Sequence, residues 1–65
     1  MMSKRYWVEE LIGINEFDGE WMSFCEADNI DEANEIYVNR LTRYPDSAVR
    51  IFDTEENSVI RKNYD

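Results

Sequence analysis

Between Arg5 and Ile14 the chain reads RYWVEELIGI, a run of aromatic and β-branched residues that predicts a strand. Tyr6, Val8, Ile12 and Ile14 share one parity, and Trp7, Glu9 and Leu11 share the other. Successive side chains of a strand point to opposite faces, so the first set predicts the core side. Glu10 interrupts that set, which predicts a bulge or an exposed stretch there. The stretch EFDGEW then carries the turn signal Asp18-Gly19 into a second strand, Glu20 to Glu26. A three-residue loop, Phe17-Asp18-Gly19, with glycine in the left-handed region suits such a hairpin. It would pair Ile14 with Met22 and Ile12 with Phe24, and so gather Tyr6, Val8, Ile12, Ile14, Met22 and Phe24 on one face. A two-residue Asp-Gly turn would mix apolar and polar residues on both faces, so the longer loop is the expected one.

The helix announces itself most clearly. Asn29 followed three residues later by Glu32 is a capping box, and Asp31 and Glu32 suit the positive end of the helix dipole. Ala33, Ile36, Tyr37, Arg40 and Leu41 follow the spacing of a single buried stripe. Arg40 and Arg43 favour the negative end, and Tyr44-Pro45 terminates the element because proline pushes the preceding residue out of helical geometry. Ala48 to Asp53 alternates as a third strand, Thr54 to Asn57 is a polar turn, and Ser58 to Lys62 reads as a short fourth strand. The expectation is an α+β fold of order ββαββ, an antiparallel sheet with one helix packed on one face. Residues 1–65 form a single small domain.

Charge changes this picture more than size does. The net charge is −8, from 15 acidic and 7 basic residues. Between Tyr6 and Asn39 there are ten acids, Glu9, Glu10, Glu16, Asp18, Glu20, Glu26, Asp28, Asp31, Glu32 and Glu35, and no Lys or Arg. Such a chain repels nucleic acid and anionic membranes and attracts basic protein surfaces. One reading is a solvated acidic surface. The functional reading is a phosphate-like surface docking on a basic groove, with Glu9, Glu16, Asp18, Glu20, Asp28, Asp31, Glu32 and Glu35 as contacts and Trp21 as an anchor. That partner would be a nucleic-acid-binding protein. The second candidate is Trp7, Leu11 and Trp21 on the sheet face that no helix covers, a patch for a homodimer or another protein, since tryptophan is enriched among binding hot spots. The alternative is that one tryptophan, Trp21 above all, packs at a sheet edge or under the C-terminal strand.

Catalytic chemistry finds no constellation. Glu9 and Glu10 are strand neighbours pointing to opposite faces. Cys25 has no histidine in the chain to activate it. Asp28, Asp31, Glu32 and Glu35 lack the glycine and closing glutamate of a calcium loop. No enzyme activity, cofactor or metal is expected, and a single cysteine with no signal-like segment points to the cytoplasm. Arg50, Arg61 and Lys62 could make a weak basic strip on the second hairpin, but three such residues in a strongly acidic chain are a poor nucleic-acid signal, and a solvated face is the expected reading.

The ββαββ layout, the DGEW hairpin, the EANEIYVNRL helix and the AVRIF return strand resemble small acidic accessory proteins of phages, of the anti-CRISPR and anti-restriction type. That resemblance is one of layout. It implies an inhibitor of a host defence protein, working in the host cytoplasm by occluding a nucleic-acid channel, and assigns no residue a role.

Overall fold

The computed structural model describes residues 4–13 and 19–64. Glu16, Asp18, Ile14 and most of the expected hairpin loop lie outside that set. Four strands and one helix follow in the order β1 (Tyr6–Ile12), β2 (Glu20–Ala27), α1 (Ile30–Arg43), β3 (Val49–Asp53) and β4 (Ser58–Lys62). The strands form one sheet in the spatial order β2-β1-β3-β4, and each neighbouring pair is antiparallel. The fold is α+β, with α1 linking edge strand β2 to central strand β3 across β1.

The helix starts as its sequence dictates. Asn29 has extended backbone, and its side chain accepts the Glu32 N–H at 2.8 Å. Glu32 reaches back at 3.1 Å to the N–H of Asp28, one residue before the cap. One of the four orphan donors at the helix start, the Glu32 N–H, is thus satisfied by a side chain, and the Glu32 carboxylate in turn holds the backbone just before the cap. Asn29→Ala is expected to lower stability by about 1 kcal/mol, read as a lower urea midpoint at unchanged slope.

The core lies between α1 and one sheet face. Val8, Ala27, Ala33, Val49 and Ile51 are fully buried, Tyr37 nearly so, and Tyr6, Phe24, Ile36 and Leu41 pack around them. The apolar face expected from the first hairpin is corrected at its turn end. Ile12 pairs with Glu20 and Glu10 with Met22. Ile12 and Met22 are exposed at 47% and 56%. The register slips by one residue between Val8 and Glu9, so that Cys25, not Phe24, faces Val8. The irregularity therefore falls on β2, while β1 stays paired through Glu10 on both sides.

Glu10 is neither exposed nor at a break in its own strand, contrary to the expectation from its interruption of the apolar set. It is buried among core residues and accepts a hydrogen bond from Arg40 Nε at 3.1 Å. Arg40 comes from the buried stripe of α1, and its guanidinium lies 4.6 Å from the ring centres of both Phe24 and Tyr44. Burial alone would raise the Glu10 carboxyl, but hydrogen bonds from Arg40 and Ser47 outweigh it and hold it below the ordinary glutamate value. A second clamp closes the far end of the sheet. Arg5 meets buried Asp53 through two 3.0 Å hydrogen bonds. Asp53 also accepts the N–H groups of Glu55 and Glu56, and so orders the β3–β4 turn. The Arg5 bonds lead in holding the Asp53 carboxyl below its usual range.

Candidate functional site: the acidic end and the aromatic face

The acids are divided by the fold. β2 is eight residues long, so Glu20 at its start stands roughly 23 Å from its end. Glu26, Asp28, Asp31, Glu32 and Glu35 gather at that far end, where β2 passes into α1, and all are exposed. The helix then runs back and brings Arg40 and Arg43 beside Phe24 of β2. A run without basic residues in sequence is therefore interrupted by arginines in space.

Within the acidic end the carboxylates differ in freedom. Lys4 lies 3.7 Å from Asp28, and its backbone N–H donates to Glu26 at 2.9 Å. Glu32 is engaged with the cap. Asp31 and Glu35 have no ion-pair partner among the described residues, which leaves their charges directed at solvent. Glu9 stands apart from this surface. It is only 8% exposed, and its carboxylate accepts a 2.7 Å hydrogen bond from Arg50 Nε. Its charge is committed within the fold.

The second sheet face is covered by the chain itself. Trp7 pairs with Phe52 across the sheet, their ring centres 6.3 Å apart. Trp21 reaches over the strands so that the Arg50 guanidinium sits 4.0 Å from its ring centre, and Tyr64 packs against it at 5.2 Å. Arg50 thus joins Glu9, Trp21 and the Tyr64 hydroxyl in one cluster. Trp7, Leu11 and Trp21 are all half-buried in consequence. The Trp7 indole N–H is buried with no acceptor among the described residues.

Sequence reasoning missed Arg50 and Tyr64 as covers for this face. The signal was Glu9 between Trp7 and Leu11, an acid on an otherwise apolar parity that calls for a cation opposite it. The basic residues of the second hairpin are divided between the two faces of the sheet. Arg50 faces the tryptophans, whereas Arg61 lies on the helix side, 4.4 Å from the Tyr37 ring centre and bonded to Asn34 at 2.7 Å.

Among the described residues no group of His, Cys, Asp and Glu is placed to hold a metal ion. No helix among the described residues is long and apolar enough to cross a membrane. Comparison with protein-family models, curated proteins and solved structures finds no match to this chain.

Proposed function

We propose that this chain is a small non-catalytic inhibitor that docks on a nucleic-acid-handling protein through its acidic end. Asp31 and Glu35 are the leading contacts, flanked by Glu26, Asp28 and Glu32. The observation that carries the reading is the pair of uncommitted carboxylates, Asp31 and Glu35, on the outer face of the first helical turns. Asp31, Glu32 and Glu35 span about 6 Å of the helix axis, a spacing of about one charge per 3 Å. One strand of B-DNA carries a phosphate about every 3.4 Å of axis. A groove shaped for a phosphate backbone would meet a comparable density of negative charge, and long-range attraction would speed the encounter. The partners that fit are basic nucleases and CRISPR or restriction effectors, with occlusion of the nucleic-acid channel as the mechanism and the host cytoplasm as the setting.

The test is capture from a bacterial lysate with the tagged chain, at low and then high salt. A nucleic-acid-handling protein should be retained at low salt and lost at high salt, as screened charges require. Asp31→Asn/Glu35→Lys should weaken that capture about tenfold while the circular dichroism spectrum stays unchanged. Capture indifferent to both salt and substitution would overturn the reading.

A further inference from the structure

A second surface lies at the other end of α1, and its chemistry is not acidic. A groove of about 260 Å³ opens between β2 and the helix, lined by Phe24, Ile36, Asn39, Arg40 and Arg43. Met22, two residues before Phe24 on β2, and Tyr44, whose ring centre lies 4.6 Å from the Arg40 guanidinium, are exposed at 56% and 42%. Aromatic residues, methionine and arginine are the types enriched in interface cores.

Two further observations say what kind of occupant fits. First, β2 is an edge strand. Among the described residues no backbone hydrogen bond reaches it from outside its ladder with β1. Its outward N–H and C=O groups are a template for an added strand. Second, the two arginines of the groove are not equivalent. Arg40 is held by Glu10 and two rings. Arg43 touches the Tyr44 ring at 5.7 Å and has no carboxylate partner among the described residues.

We propose that this groove accepts an extended peptide segment of a partner protein, which adds as a strand to β2. One large apolar side chain of the peptide enters between Phe24 and Ile36, and a carboxylate nearby on the peptide meets Arg43. Backbone pairing along an edge supplies affinity, and pockets for alternate side chains supply specificity. The acidic end does not forbid an acidic peptide. Glu35, the acid of that end nearest to Arg43 along α1, is eight residues from it, about 12 Å, against a screening length of about 8 Å at physiological salt. The inference is independent of the proposed function, because it uses none of the acidic contacts.

The test is selection of a displayed library of random twelve-residue peptides on the immobilised full chain, followed by titration of the most enriched peptide into the ¹⁵N-labelled protein. Enriched sequences should alternate apolar and polar residues and pair a large apolar residue with Asp or Glu. The amide signals that move should be those of Met22 to Phe24 and Ile36 to Arg43. Arg43→Glu should weaken binding about tenfold, whereas Asp31→Asn/Glu35→Lys should leave it unchanged. The proposal is overturned by no enrichment over selection on Met22→Asp/Arg43→Glu, or by shifts confined to other residues. A dimer in sedimentation that the Met22→Asp/Arg43→Glu variant abolishes overturns it as well.

Discussion

Replacing Glu10 by alanine is expected to cost about 2–4 kcal/mol of stability, because it leaves the Arg40 guanidinium against the core without its anion. The figure sits below that for a fully enclosed pair because the Arg40 side chain is about one-third exposed. For a domain of 65 residues, whose single core rarely supplies more than about 3–5 kcal/mol, that is most of the total. Chemical unfolding monitored by circular dichroism reads it directly. Glu10→Leu/Arg40→Met removes both charges and fills the space, and should recover most of the loss, since apolar replacement of a buried pair is often neutral. Acid tests the same contact. The Glu10 and Asp53 carboxyls are both held below their ordinary values, so the stability they contribute is present above the unfolded value, near pH 4. It is lost as pH falls through the lower folded values. Unfolding on acidification should set in below about pH 4, and Glu10→Leu/Arg40→Met should blunt it.

Arg50→Ala is expected to lower stability by about 2–3 kcal/mol, the cost of leaving a buried carboxylate without its cation. Glu9 at 8% exposure would lose that cation. Trp21 would lose the guanidinium over its ring and the neighbour that holds Tyr64 beside it. Urea unfolding measures the energy, and a red shift of tryptophan emission reports the opening of the face. Arg50→Lys should restore only part, because an ammonium keeps the charge but not the planar surface that stacks on indole. Full recovery by lysine would mean that charge alone holds the cluster.

The elements were legible because each carries a local signal. The Asn29 cap, the apolar stripe of α1, the proline after Tyr44 and the alternation in β3 all act within a few residues of themselves. The register of the first hairpin was not, because it depends on partners from elsewhere in the chain. Gathering every apolar side chain of β1 and β2 on one face assumed that charge belongs outside. Here a charged pair, Glu10 with Arg40, occupies core positions, and Ile12 and Met22 are left at the rim. Both members had already appeared at apolar positions of their own elements, an acid in a strand and a base in a helix. Two opposite charges each misplaced in this way predict one another. The open face was misjudged for a related reason. Trp7 and Trp21 looked spare because no second helix covers them, but a cation from β3 and Tyr64 after β4 perform that covering. The acidic end was legible as residues and illegible as a surface, since only the fold turns Arg40 and Arg43 back beside Phe24 of β2.

Whether binding chemistry resides at the acidic end or on the tryptophans turns on the covering of the second sheet face. The most direct measurement is a nuclear Overhauser spectrum of the full chain in dilute solution, examined at the two indole rings. Contacts from the Trp21 ring to Tyr64 and to the Arg50 side chain, and from Trp7 to Phe52, are the expected result. Absence of the Trp21–Tyr64 contacts, or contacts from either indole to a second copy of the chain in an isotope-filtered experiment, would contradict it and return the interface to the aromatic face.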